Sequence, residues 1–241
     1  MSSSTFMSSC SVVFFSLAFF FVFGVDFSCG AFKINCAIKS LPNFTCFPSP
    51  MNGTPGPMHM GTVHFESSMV EIEDAYREAI AGKPATRPLV EMTIPSALDD
   101  TLAPPGMHVA QLFVQYAPYD IDPKVGSWAD PTFKNAFADR CIAIVEEFCP
   151  GFTSSIIHRD VLSPLDLEQI FGLPKGNIHH AALGLHQLGY MRPAPGYSSH
   201  RTPVPGLYLC ASGTHPGGGV MGAPGRNCAR IIKADLGLGL L

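Results

Sequence analysis

Charged residues are scarce in this chain of 241 residues: Asp, Glu, Lys and Arg make up 14% of it, against about 25% in an ordinary soluble domain. The apolar share of 46% is high enough to exclude a disordered protein for most of the chain. The 15 Lys and Arg residues are scattered singly, and 19 Asp and Glu residues outnumber them. A nucleic-acid partner is therefore not expected, since phosphate contacts need clustered cations.

The sequence also lacks several motifs that mark common metal, redox and catalytic sites. No two of the eight cysteines are spaced as C-x-x-C, which excludes a zinc ribbon and a thioredoxin-like redox motif. No G-x-S-x-G element supports a serine hydrolase. His179, His180 and His186 lack the H-x-x-x-H spacing of a helical zinc site, so no metal site is predicted. Two interpretations of the cysteines stay open: reduced, buried thiols or disulfides.

The amino-terminal part is apolar, and its first charged residue is Asp26. Residues 12–25, from Val12 to Val25, are short for a span of the roughly 30 Å hydrocarbon core. No Lys or Arg precedes them, as a secretory signal or a mitochondrial presequence would require. An apolar strand, an inefficient signal or membrane anchor, and an alternative start of the coding sequence all remain open. Two N-x-T acceptor sites, at Asn43 and Asn52, would fit secretion.

Hydrophobic periodicity predicts an α/β fold of mixed α+β character, with a mixed sheet and helices on one face. The predicted strands cover residues 32–37, 61–66, 89–94, 107–116 and 154–161. The predicted helices start after a Ser67 or Ser68 cap, at Pro131 after an Asp130 cap, and at Leu165. Residues 172–206 are rich in Gly, Pro and His and are predicted to be mostly loop.

The segment richest in chemical information covers residues 206–233 and reads GLYLCASGTHPGGGVMGAPGRNCARIIK. It predicts a short strand over residues 207–211, a glycine-rich turn over residues 213–222 and a helix from Ala223. This order brings unpaired backbone N–H groups and the positive end of a helix dipole together, which suits an anion such as a phosphate. Because Gly217, Gly218 and Gly219 have no side chains, a ligand can approach the backbone closely.

Gly217, Gly219 and Gly222 also match the pattern G-x-G-x-x-G. The full dinucleotide fingerprint needs a second strand and an acidic residue about 20 positions further on, and the sequence ends at Leu241. A self-contained NAD site is therefore not predicted. A plain turn between a strand and a helix is the alternative to a loop that faces a ligand, and the run of glycines favours the ligand.

The string YLCASGTHPGGGVMGAPGRN resembles the carboxy-terminal FAD motif of the phytoene desaturase and amine oxidase class of flavoproteins. Together with LAPPGMHVAQLFVQYAPY and DLEQIFGLPKGNIHH, it resembles one protein of that class over about residues 32–235. The resemblance implies an FAD-dependent oxidoreductase, hydride transfer from a small-molecule substrate to the flavin, and a mitochondrial location. The positions that it assigns to FAD contact are Gly213, Thr214, His215, Pro216, Gly217, Gly218, Gly219, Met221, Gly222 and Ala223.

The resemblance further implies the carboxy-terminal portion of a two-domain oxidoreductase. Members of the class begin with a βαβ unit whose own glycine loop holds the ADP pyrophosphate, and nothing before residue 200 matches it. The expected organisation is an apolar start without counterpart over residues 1–30, a partial substrate domain over residues 31–205, and an FAD-contacting strand, loop and helix over residues 206–236. Without the pyrophosphate loop, FAD binding by this chain is expected to be weak or absent.

Other interpretations remain open beside this one. A noncatalytic truncated form would act through protein contacts, and a secreted or membrane-anchored domain would use residues 12–25. His215 either contacts the flavin or only fixes the turn beside Pro216, and Arg192 and Arg226 either neutralise an anion or are ordinary surface residues. No catalytic residue is predicted, because the cofactor itself carries the hydride chemistry in flavoenzymes.

Overall fold

The computed structural model describes residues 25–28, 30–48 and 53–237. The apolar segment of residues 12–25, apart from Val25, and the N-x-T site at Asn52 lie outside these residues. The described residues divide into two compact units, residues 30–177 and residues 178–237 with residues 25–28. This division lies upstream of the expected boundary between residues 205 and 206.

The larger unit contains a five-stranded sheet with the strand order β2-β3-β4-β1-β5. Its strands are β1 (Phe32–Ile38), β2 (Val63–His64), β3 (Leu89–Thr93), β4 (His108–Gln115) and β5 (Ile156–Leu162). Each of the five strands that the hydrophobic pattern predicts within this unit is present, with its ends shifted. All pairings of these strands are antiparallel. The α/β class with mixed strands and helices is confirmed, but the sheet, expected to be mixed, is antiparallel throughout its described strands.

The same unit contains the helices α1 (Met69–Ile80), α2 (Pro131–Phe148), α3 (Phe152–Ser155) and α4 (Pro164–Phe171). Two of them begin at the predicted caps. The Ser68 hydroxyl accepts a hydrogen bond from the N–H of Glu71 at 3.3 Å, and the Asp130 carboxylate accepts one from Thr132 at 2.8 Å. These bonds satisfy N–H groups that would otherwise lack an acceptor in the first turn. Short 3-10 turns lie in both units, at Pro57–His59, Pro95–Ala97, Asp100–Leu102, Pro174–Gly176, Leu185–Gln187 and Gly189–Met191.

The hydrophobic core lies between α2 and one face of the sheet. Alternate residues of β1 point into it, because successive side chains of a strand face opposite sides. The rings of Phe32 on β1 and Phe137 on α2 meet edge to face, with centroids 4.9 Å apart. Trp128 packs against both rings and donates its indole N–H to the carbonyl of Pro118 at 2.8 Å. This buried aromatic group anchors the start of α2 to the sheet.

The opposite face of the sheet carries polar side chains. Lys33 donates from Nζ to Oε1 of Gln111 at 3.2 Å, and Asn35 lies directly across from Gln111 in the register of β1 and β4. Burial lowers the pKa of Lys33. The Oδ1 atom of Asn35 is buried and accepts no hydrogen bond from any described residue. The sheet is therefore amphipathic, with one apolar and one polar face.

The smaller unit contains α5 (Ala223–Asp235), as the sequence predicts. The predicted strand over residues 207–211 is wrong, since Tyr208 forms only an isolated bridge with Arg201. A strand needs an extended neighbour for its ladder of hydrogen bonds, and residues 178–206 form turns and 3-10 turns instead. Among the helices within the described ranges, none is long and apolar enough to cross a membrane.

The core predicts a large difference between two isoleucines of the larger unit. Ile34 is fully buried, whereas Ile157 is 48% exposed. We expect Ile34→Ala to lower the free energy of unfolding by about 2–5 kcal/mol, because it removes buried methyl groups and leaves a cavity. Ile157→Ala should change it by less than about 0.5 kcal/mol. Urea unfolding followed by the fluorescence of Trp128, the single tryptophan of the chain, measures both, and equal effects would contradict the assigned core.

Candidate functional site

The glycine loop, residues 211–222, runs through successive turns into α5. Thr214 closes its first turn, donating from both its N–H and its hydroxyl to the carbonyl of Ala211 at 2.9 and 2.7 Å. Gly217, Gly219 and Gly222 have φ angles of 116°, 123° and 67°. Residues with a Cβ rarely adopt such angles. The backbone path of the loop therefore requires glycine at these three positions of the G-x-G-x-x-G pattern.

Gly218 is constrained by space instead. Its φ angle lies outside the left-handed region, but a Cβ built on it would lie 3.3 Å from Nδ1 of His179 and 3.3 Å from Cβ of Ser212. Both distances are tighter than ordinary side-chain contacts. Nothing in the sequence distinguishes the three consecutive glycines. Only the fold shows that the middle one, Gly218, is needed because it packs closely against His179 and Ser212.

The glycine loop exposes backbone donors. Within the part of the chain that the structure describes, no N–H from Gly217 to Gly222 donates a hydrogen bond. The helix that follows has Gly222 as its N-cap, and no side chain caps it. Free N–H groups at a helix start carry partial positive charge and attract anions. The loop thus presents the free backbone donors that the sequence predicts, although the strand expected before it is absent from the described residues. Binding of an anion there stays a prediction.

Arg192 is the central charged residue of the smaller unit and is 1% exposed. Its Nη2 atom donates to the carbonyl oxygens of His179 at 2.6 Å and Ser212 at 2.7 Å, and Nε donates to Ser212 at 3.3 Å. Nη1 reaches the carbonyl of Ala182 at 3.5 Å. Arg192 therefore ties the start of the glycine loop to residues 179–182. Arg226, the other arginine considered from the sequence, is exposed.

The positive charge of Arg192 is not neutralised by any described carboxylate, since its hydrogen bonds all go to carbonyl oxygens. Burial lowers its pKa, yet a guanidinium stays protonated in proteins. The described residues of the smaller unit, 25–28 and 178–237, contain five Arg and Lys residues and two acidic residues, Asp26 and Asp235. The Asp26 carboxylate accepts hydrogen bonds from Ser28, and the Asp235 carboxylate accepts them from Arg201 and Tyr208. The smaller unit is thus cationic within an acidic chain.

Three histidines surround the same segment. Burial, and after it the charge of Arg192, lowers the pKa of His179 and of His180, so both rings are neutral at neutral pH. His215, inside the loop, has a buried Nδ1 atom without a hydrogen-bond partner among the residues described. No three His, Cys, Asp or Glu side chains of the described ranges converge as metal ligands.

The predicted contact residues differ in exposure. Gly213, Thr214 and Gly217 are buried, while Gly219 and Gly222 are exposed. His215, Pro216, Gly218 and Ala223 are half-buried, and Met221 is exposed. The buried members shape the loop, and the exposed and half-buried members are the ones that a ligand can reach. Their contact with FAD stays a prediction.

The larger unit has a groove of about 740 Å³ between α2 and β5. Its carboxylates are already engaged: Asp139 pairs with Arg159, Glu147 pairs with Arg87, and Glu146 accepts hydrogen bonds from two backbone N–H groups. The groove therefore offers no converging set of free polar groups and is not the candidate site.

The chain is similar to pyridine nucleotide-disulfide oxidoreductase domain-containing protein 2 of Rattus norvegicus, with 48% identity over 205 residues, and of Mus musculus, with 46% identity over 205 residues. These alignments cover 85% of this chain and 35% of each relative. It is also similar to a limonene dehydrogenase component of Castellaniella defragrans, 35% identical over 62% of this chain and 27% of that protein. No family model matches the chain. The resemblance is confirmed, and the chain spans about a third of the length of its rodent relatives.

Removal of the buried guanidinium should loosen the glycine loop. We expect Arg192→Met to destabilise the smaller unit by about 1–3 kcal/mol, because the carbonyl groups of His179 and Ser212 lose their Arg192 donors. Amide hydrogen exchange within residues 179–182 and 211–214 should accelerate about tenfold or more. Exchange mass spectrometry measures this effect. Arg226→Met is the matched control, and a similar acceleration there would contradict the role of Arg192.

The two histidines should titrate late in an acid titration. We expect His179 and His180 to gain protons only below pH 6.5, their ordinary value, because burial and the charge of Arg192 oppose the imidazolium. The unfolded chain is protonated at the ordinary value, so the stability of this unit falls as the pH drops below about 6.5. NMR titration of the ring protons gives the midpoints. Arg192→Gln removes the positive charge and should raise both midpoints, whereas Arg192→Lys keeps the charge and should leave them unchanged. Midpoints that rise in Arg192→Lys but not in Arg192→Gln would show that the charge of Arg192 does not lower the two pKa values.

Proposed function

We propose that the chain is part of an FAD-dependent oxidoreductase and that its glycine loop lies against the flavin. The observation that carries the proposal is the run of backbone N–H groups from Gly217 to Gly222, which have no acceptor among the described residues, beside the charge of Arg192, which no described carboxylate neutralises. The names of two relatives, an oxidoreductase domain-containing protein and a limonene dehydrogenase, support the reaction class. When bound, a flavin accepts a hydride from a substrate and returns the electrons to a second acceptor.

The residues of the loop fit such a cofactor in three respects. Their backbone donors suit the carbonyl oxygens and ring nitrogens at the edge of a flavin. The buried Nδ1 of His215, unpartnered among the described residues, leaves hydrogen-bonding capacity for a ligand. Because a Cβ at Gly218 would press on His179 and Ser212, glycine at this position preserves the path of the backbone that presents the donors. The positive end of α5 and the charge of Arg192 then favour a ligand that gains negative charge.

The proposal assigns no catalytic acid or base to this chain, because the flavin itself carries the hydride chemistry. Arg192 is engaged in hydrogen bonds to backbone carbonyls, so it acts through its charge. The role of the chain in the reaction is thus to orient a cofactor and to stabilise charge on it.

Flavin binding by this chain tests the proposal. We expect FAD to bind with a Kd above about 1 µM, that is less favourably than about −8 kcal/mol, because the sequence holds only one G-x-G-x-x-G pattern. Lumiflavin, the ring system alone, should bind within about tenfold of FAD, and ADP should bind far more weakly, since the proposed contacts are to the ring. Flavin fluorescence and calorimetry measure these constants. Tighter binding of ADP than of lumiflavin, or no lumiflavin binding up to about 1 mM, would overturn the proposal.

Gly218→Val provides the residue-level test. We expect the affinity for lumiflavin to fall by more than about tenfold, because the added side chain displaces His179 or Ser212 and covers the backbone donors. Gly61→Val is the matched control, since its φ angle is ordinary and a Cβ there meets nothing within 4 Å. If the folded Gly218→Val chain binds lumiflavin as the native chain does, the loop does not contact the flavin.

A further inference from the structure

Large apolar side chains that solvent can reach lie beside the glycine loop in the smaller unit. Leu183 packs against Gly217, since its Cδ2 atom would lie 3.6 Å from a Cβ built on that glycine. Met221 packs against Gly219, and its Cε atom would lie 3.1 Å from a Cβ built there. Leu183 is 44% exposed and Met221 is 59% exposed. The run of glycines therefore has an accessible apolar side chain at each end.

Val220 adds a third apolar side chain within the loop itself. It is fully exposed, and its φ angle is 57°. A β-branched residue rarely adopts this left-handed backbone, because its Cβ then approaches the following carbonyl oxygen. Strained residues of this kind cluster at sites that hold a ligand. The loop thus keeps an apolar group in solvent at an energetic cost, which is typical of a contact with a ligand.

The side chains that pack against the three glycines carry no charge. Beside Leu183 and Met221, the third is His179, whose Nδ1 atom would lie 3.3 Å from a Cβ on Gly218. Burial lowers the pKa of His179, so its ring is neutral at neutral pH. A compact anion such as phosphate would lose its hydration against these groups without a charged partner in return. A ligand with apolar faces would instead gain from the same contacts.

Backbone donors beside apolar side chains suit one shape of ligand. Sites for small molecules are mostly apolar, with a few polar groups such as backbone N–H that fix the orientation. A planar heteroaromatic ring has apolar faces for the side chains and acceptor atoms at its edge for the N–H groups. The glycine loop offers both kinds of contact within a few residues.

We propose that Leu183, Val220 and Met221 are specificity-determining residues of the glycine loop and select a planar heteroaromatic ring over a compact anion. This inference rests on the proposed function, since the isoalloxazine ring of a flavin is such a ring. The resemblance assigns Met221 to FAD contact but neither Leu183 nor Val220. Leu183 lies far upstream of the glycine motif, and only the fold brings it to Gly217.

Polar replacements of matched shape test the inference. Leu183→Asn and Met221→Gln keep the size of the side chain and remove its apolar character, and Val220→Thr keeps the β-branch. We expect Leu183→Asn and Met221→Gln each to weaken lumiflavin binding by about fivefold or more, because apolar contact with the ring is lost. Leu185→Asn is the matched control. Leu185 lies in the same segment and is 92% exposed, so its replacement should change the affinity by less than about twofold.

Titration calorimetry with the full chain provides a second readout. Burial of apolar surface gives binding a negative heat-capacity change, and this change should be smaller in magnitude for all three loop variants than for the native chain. Inorganic phosphate, the compact anion, should bind at least about a hundredfold more weakly than lumiflavin. The replaced side chains are exposed, so thermal unfolding should show that the variants stay folded.

The outcomes separate this inference from the proposed function. Equal lumiflavin affinities for the native chain, Leu183→Asn and Met221→Gln would overturn the inference and leave flavin binding in place. Binding of phosphate as tight as that of lumiflavin would overturn it as well. If the native chain binds no lumiflavin, the proposed function and this inference fail together.

Discussion

A buried guanidinium bonded only to carbonyl oxygens organises the smaller unit. Burial of a cation costs free energy, and the charge-assisted hydrogen bonds from Arg192 to the carbonyls of His179 and Ser212 offset that cost. These bonds join the start of the glycine loop to a segment about thirty residues earlier in the chain. The unit has no sheet of its own among the described residues. Hydrogen bonds from this one side chain therefore connect segments that are distant in sequence, as the hydrogen bonds between strands do in the larger unit.

The glycine loop follows from that arrangement. With Ser212 held by Arg192, the chain turns through Gly217, Gly219 and Gly222 at positive φ and enters α5 without a side-chain cap. Each of these features leaves backbone N–H groups free and adds positive potential at one place. The cationic surroundings, the neutral histidines and the ring nitrogen of His215, which has no partner among the residues that the structure describes, fit an anionic or electron-rich ligand.

The larger unit is organised by the two chemically different faces of its sheet. One face of its sheet packs on α2 through buried aromatic and aliphatic side chains, and this core includes Phe32, Trp128 and Phe137. The other face is polar, so the sheet has two surfaces of different chemistry. The rigid, apolar side provides stability, and the polar side carries groups such as Lys33 and Asn35 whose hydrogen-bonding capacity exceeds what a plain core needs.

The sequence alone determined the elements that depend on local patterns. Alternation of apolar residues identified the strands, Ser68 and Asp130 marked helix starts through their own hydrogen bonds, and the string from Tyr208 to Asn227 carried the resemblance that the relatives confirm. The predicted strand over residues 207–211 failed because β structure needs a partner from elsewhere in the chain. Only the tertiary structure decided that Arg192 is buried and that Gly218 is limited by space. Those facts depend on contacts between residues far apart in sequence, which no local pattern records.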